Sequence, residues 1–211
     1  SRPLPMGTLS LPSARRAAAF FMLIGLTLAL TLGIRFFAIA LGFVILQVAY
    51  TVYLKDLVLI DVGTIALGFI LRVAAGAEAV RVETSAWLFS CTILLALFLA
   101  LTKRRRELQL GDAELLTRKV LREYNATMLD MMIATVGSAT VISYALYTRD
   151  PETIARAGTT ELPYTFPFVL YGLLRYLFLV YRTDDTCRKE GPDQFLTDRA
   201  LLLNLSAWAL T

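Results

Sequence analysis

Ionisable side chains lie inside otherwise apolar stretches of this 211-residue chain, among them Asp61, Asp130 and Arg175. Charges in such surroundings are costly and face either a partner or a polar cavity. Two further groups flank the apolar stretches, Lys103-Arg104-Arg105-Arg106 with Glu107, and Asp198-Arg199. Guanidinium forks take phosphate oxygens in pairs and a lysine adds a point charge, so the first group reads as an anion clamp. It reads equally as the basic marker at the end of a membrane helix, or as a contact for lipid head groups. Asp198 suits Mg2+ or a sugar hydroxyl, and equally a helix cap. Ion pairs between helices are one reading of Asp61, Asp130 and Arg175, but three helices each placing a charge at similar depth favour a shared polar cavity. Arg72, eleven residues after Asp61 and on nearly the same helical face, reads as structural.

Seven apolar stretches must position these groups: 16–34, 36–54, 57–80, 84–102, 125–147, 163–181 and 199–211. The first six match the roughly 20 residues that cross a bilayer as a helix. Of the 21 Lys and Arg, 15 fall in one set of alternate loops, counted from the N-terminus, and 4 in the other. Arg72 and Arg175 make up the rest. That asymmetry places the N-terminus, Lys55, the 103–124 connection and the 182–199 loop in the cytoplasm. The charged residues above then gather at the cytoplasmic end.

Composition narrows the chemistry further. Apolar residues make up 57% of the chain, which fits a membrane bundle and not a soluble domain. There is no His, so a histidine triad, proton shuttle or metal site is excluded. The two cysteines, Cys91 and Cys187, fall in a helix and a cytoplasmic loop, so no disulfide is expected. The basic patch has few interleaved aromatics and lies against a membrane, which argues against nucleic acid. Ser10 and Ser13 are candidate caps for the first helix. Leu115, Leu116, Val120 and Leu121 recur at helical spacing and predict a short amphipathic surface helix. The 148–162 loop carries no strong signal, and Asp184 and Asp185 read as solvated loop charges. The aromatic run Tyr164–Tyr181 reads as interfacial belt and packing.

The opening Arg2-Pro3-Leu4-Pro5-Met6-Gly7 resembles a segment of the UbiA superfamily of intramembrane prenyltransferases. In that superfamily an Asn-Asp-x-x-Asp motif precedes Lys-x-x-Arg-Pro-[Ile/Leu]-x-x-Gly, which leads into the third of nine helices. Other segments resemble its decaprenyl-phosphate phosphoribosyltransferase branch. They are Tyr53-Leu-Lys55 with Asp61, Leu71-Arg72-Val-Ala-Ala-Gly76, Lys103-Arg104 with Glu107-Leu108, Arg118-Lys119 with Tyr124, Leu174-Arg175-Tyr176 and Leu196-Thr-Asp198-Arg199. Superfamily members that prenylate aromatic acids carry a second Asp-x-x-x-Asp motif where this chain has Lys103-Arg-Arg-Arg-Glu107. That departure favours a sugar phosphate over an aromatic acceptor.

The resemblance implies an all-α polytopic transmembrane bundle, one UbiA-like domain over 1–211. Its seven segments would be helices three to nine, the last cut short, with the Asp-rich motif before Ser1 as the main metal holder. It implies a Mg2+-dependent enzyme of the multi-pass inner (plasma) membrane, active at the cytoplasmic face. The reaction would move 5-phosphoribose from phosphoribosyl pyrophosphate to a polyprenyl phosphate, with a role in cell-wall synthesis, and a homo-oligomer is allowed for. Asp61, Lys103, Arg104, Glu107 and Asp198 are the candidate catalytic residues, with Asp198 also a metal candidate. Arg2, Tyr53, Lys55, Tyr124, Arg175 and Arg199 are the candidate substrate contacts. Two rivals remain, an aromatic prenyltransferase using polyprenyl pyrophosphate and a small transporter with a charged cavity.

Overall fold

A computed structural model describes residues 10–110, 119–181 and 198–210. Arg2, Arg118 and Leu196-Thr197 lie outside them, as do Leu115, Leu116, Asp184, Asp185 and Cys187. The described residues form eight α-helices: α1 (Leu11–Thr31), α2 (Ile34–Val52), α3 (Ile60–Val80), α4 (Ala86–Leu110), α5 (Ala126–Tyr147), α6 (Pro151–Ala157), α7 (Phe166–Tyr181) and α8 (Arg199–Leu210). Short 3-10 turns at Leu54–Asp56, Lys119–Arg122 and Leu162–Thr165 join them, and no strand occurs among the described residues. Six spans are long and apolar enough to cross a membrane, and α8 is a shorter apolar helix. The protein is therefore an all-α, multi-pass membrane bundle.

Local chemistry sets the helix ends. Ser10 caps α1 through the Ser13 amide, and Pro12 occupies its first turn. Gly33, at φ 120°, turns the chain between α1 and α2, a backbone angle that favours glycine. Asn125 caps α5, its side-chain oxygen accepting from the Met128 amide at 2.7 Å. Asp150 caps α6 in the same way, with Pro151 next in line. The α6 helix falls in the 148–162 loop, where the sequence reading found no strong signal.

A larger correction concerns α4. The apolar stretch ends near 102, but the helix runs on to Leu110. Lys103–Arg106 is thus helical, not a loop. Arg, Lys, Glu and Gln are good helix formers, and Arg104 pairs with Glu107 one turn later. Consecutive cations therefore point in different directions around the helix instead of forming one patch.

Consecutive long helices pack side by side, and α4 also touches α7. The core is small: Phe98 and Leu101 of α4, Leu129 and Ile133 of α5, Val62 of α3 and Leu173 of α7. Gly137 lets α5 approach α4, since a Cβ there would meet the Phe98 ring at 3.2 Å. Of the expected surface helix, the described part is the 3-10 turn Lys119–Arg122, whose Val120 and Leu121 are buried. Large apolar side chains cover the outside of α1, α2 and α3, including Phe20, Phe21, Ile45 and Leu67. Such a surface suits lipid, which carries no penalty for exposed hydrocarbon.

Candidate functional site

At one end of the bundle, Asp61 sits in the first turn of α3 with no exposed surface. A carboxylate there is favoured by the positive end of the helix dipole. Its Oδ2 accepts from Arg104 Nε at 2.7 Å, and its Oδ1 accepts from the Tyr124 hydroxyl at 2.9 Å. Arg104 is itself buried and spends the rest of its fork on protein. Its Nη1 donates to Glu107 at 2.6 Å, and its Nη2 donates to the Tyr50 hydroxyl at 3.2 Å. One guanidinium thus joins α2, α3 and α4.

Tyr124 ties in the chain leading to α3. Its hydroxyl oxygen accepts from the Leu59 amide at 2.8 Å. Leu59 has φ 65°, a strained angle for a residue with a side chain. Val120 of the adjoining turn is buried in the same apolar cluster as Tyr124. Burial, helped by the neighbouring Asp61 carboxylate, pushes the Tyr124 phenol up to about 12. No buried side-chain polar atom among the described residues lacks a partner.

Two further stations lie at the same end. Arg105 of α4 donates to Asp130 of α5 at 2.7 Å and stacks over the Tyr181 ring of α7. Tyr181 donates to the same carboxylate. Arg175 of α7 meets both oxygens of Asp198, which caps α8 through the Leu201 amide at 2.8 Å. The hydrogen bond from Arg175 holds the Asp198 carboxyl below its usual range.

The structure therefore gathers Asp61, Arg104, Glu107 and Tyr124 into one network and joins Arg175 to Asp198 in another. Lys103 and Arg199 are exposed and Lys55 is half-buried; Tyr53 is 63% exposed. None of the four belongs to either network. Arg2 lies outside the described residues. Tyr50, Arg105 and Tyr181 were missing from the sequence-level site. Arg105 was visible in the basic run, but nothing in the sequence singled out either tyrosine. Arg72 lies deeper in the bundle, stacked on Phe43 and Phe69.

No three metal-binding side chains come together among the described residues. Asp61 and Glu107 are held by Arg104, Asp130 by Arg105 and Asp198 by Arg175. The described carboxylates do not fit a divalent metal site on their own.

This arrangement of helices has solved counterparts. A UbiA homolog from Archaeoglobus fulgidus bound to DMAPP and Mg2+ superposes with a TM-score of 0.71 at 20% identity, over 98% of this chain and 70% of that one. The same homolog bound to Cd2+ also gives 0.71. The chain therefore has the helical fold of the UbiA homolog. Along its sequence the chain is similar to the decaprenyl-phosphate phosphoribosyltransferases. It is 30% identical to that of Corynebacterium glutamicum over 98% of this chain and 62% of the relative. It is 28% identical to that of Mycobacterium tuberculosis over 79% of this chain and 53% of the relative. The chain spans between half and two thirds of the length of these relatives. No family model matches it.

Proposed function

We propose that this protein transfers 5-phosphoribose from phosphoribosyl pyrophosphate to a polyprenyl phosphate and releases pyrophosphate. The observation that carries the reading is the likeness to decaprenyl-phosphate phosphoribosyltransferases along 98% of the chain. In this reaction a lipid phosphate oxygen attacks the anomeric carbon of ribose as the bond to pyrophosphate breaks. Nucleophile and leaving group are both anionic, so the site must neutralise charge and hold the two in line. Lys103 and Lys55 have no ion-pair partner among the described residues, and they are among the cations left to meet phosphate. Arg104, closed in by Asp61, Glu107 and Tyr50, holds α4 against α3 so that Lys103 is presented. Arg2, Tyr53 and Arg199 are further substrate contacts in this reading.

Divalent metal use is supported by the UbiA homolog solved with DMAPP and Mg2+. Mg2+ would be held on the donor's diphosphate, since Asp61, Glu107, Asp130 and Asp198 are already paired with arginines. The reading places the site at the cytoplasmic face of the inner (plasma) membrane, where the alternate-loop charges put it.

The test follows label from phosphoribosyl pyrophosphate into the organic phase, in membranes carrying the protein, with polyprenyl phosphate and Mg2+. Metal-dependent labelling of the lipid is the expected result. No labelling, together with prenylation of an aromatic acid from polyprenyl pyrophosphate, overturns the reading in favour of an aromatic prenyltransferase.

A further inference from the structure

The end of the bundle opposite Asp61 holds a second charged chamber. A cavity of about 710 Å3 opens between the start of α2, the end of α3 and the chain entering α4. Its walls carry Arg35 and Arg81, and also Glu78 and Glu83. Glu83 lies 3.8 Å from Arg156, outside the chamber. Among the described residues, Arg35, Arg81 and Glu78 have no ion-pair partner. Arg35 is the second residue of α2, where the helix dipole disfavours a cation. An anion in the chamber offsets that cost.

A second cavity shares one wall with the chamber. Ile39 lines the chamber and also lines an apolar slot of about 280 Å3 between α1, α2 and α3. The slot runs past Met22, Phe43 and the Arg72 stem. The Arg72 guanidinium lies 4.9 Å over the Phe43 ring, which offsets its charge in these surroundings. A chamber of mixed charge at the helix ends, sharing its Ile39 wall with an apolar slot at membrane depth, matches the head group and one chain of a lipid.

We propose that this end of the protein binds a zwitterionic phospholipid of the phosphatidylethanolamine type. Its phosphate sits between Arg35 and Arg81, its ammonium on Glu78, and one acyl chain enters the slot past Phe43. Charge complementarity selects the head group. Two guanidinium groups require an anion, and Glu78 repels a head that carries only negative charge. A choline head has no N–H to donate to Glu78. The site is independent of the proposed transfer reaction.

The test uses the full chain in nanodiscs of phosphatidylethanolamine, phosphatidylcholine and phosphatidylglycerol mixed in equal parts. Lipid retained on release into the gas phase is counted by native mass spectrometry. Wild type should retain phosphatidylethanolamine several-fold over the other two. Arg35→Gln with Arg81→Gln should lose retention roughly tenfold, the scale of a charged hydrogen bond. Glu78→Gln should keep a lipid but lose the preference over phosphatidylcholine. Arg149→Gln, at the same end but outside the chamber, should match wild type. Equal retention of all three lipids, or wild-type retention by the chamber variants, overturns the site. Retention of phosphatidylglycerol above phosphatidylethanolamine overturns the head-group assignment.

Discussion

Arg104 and Lys103 are neighbours with opposite surroundings. Arg104 is 1% exposed and meets two carboxylates and a phenol, whereas Lys103 is exposed and meets none of the described acids. Breaking a buried ion pair leaves an uncompensated charge, which costs about 3–5 kcal/mol. Arg104→Gln should therefore lower stability by that amount in a denaturation experiment. Lys103→Gln should change stability by no more than about 0.5 kcal/mol, as surface changes do. If the protein is the proposed transferase, the same variant should raise the donor KM or abolish turnover. An Arg104→Gln protein as stable as wild type would show that the network is not structural. Tyr124 makes a pH-dependent contribution. Its folded pKa is about 12 against an ordinary 10.0, because burial favours the neutral phenol. The stability it confers is complete below pH 10 and is lost as pH rises through 12. Replacing it, Tyr124→Phe, leaves the Leu59 amide without its acceptor and should cost about 1–3 kcal/mol near neutral pH. That cost should shrink between pH 10 and 12, and a cost unchanged across that interval would rule the phenol out as its source.

Among the elements, α8 depends most on a single side chain. Asp198 caps it and binds Arg175 of α7, so one carboxylate both starts the helix and docks it. Asp198→Asn keeps a capping oxygen and should cost up to about 1 kcal/mol, from the lost charge on Arg175. The wild-type carboxyl is held below its usual range. Its contribution is therefore present above the ordinary carboxylate pKa and is lost as pH falls through the lower folded value. The variant's deficit should then vanish in acid; hydrogen exchange of the α8 amides measures both effects. The sequence already offered a cap as one reading of Asp198, because Asp before an apolar run has a local meaning. Its pairing with Arg175 was not legible, since nothing local says which cation a carboxylate meets across 23 residues. The same limit hid the Arg104–Asp61 pair, 43 residues apart. The end of α4 was misplaced for another reason. Hydropathy marks where a helix leaves lipid, and α4 leaves lipid before it stops being a helix. The Arg104/Glu107 spacing carried the missing signal.

On the scale of the whole molecule, the six spans were legible because hydropathy sums over some 20 residues and tolerates error at any one of them. Their packing brings the three ion-pair stations to one end, linking α2, α3 and α4, then α4, α5 and α7, then α7 and α8. Every one of these contacts lies at the end that the alternate-loop charges assign to the cytoplasm. The orientation is thus a claim about the entire chain, and the proposed activity depends on it. A sugar diphosphate made inside the cell reaches Lys103 only if that end faces inward. Single cysteines on a background lacking Cys91 and Cys187 test this directly. Glu123→Cys places a thiol beside Tyr124, and Thr160→Cys places one at the opposite end; both positions are exposed. A membrane-impermeant maleimide applied to intact cells should label the Thr160→Cys protein. It should label the Glu123→Cys protein only after the membrane is opened. The reverse pattern would put the Asp61 network outside, cut it off from a cytoplasmic donor, and remove the phosphoribosyl reading even with every helix in its place.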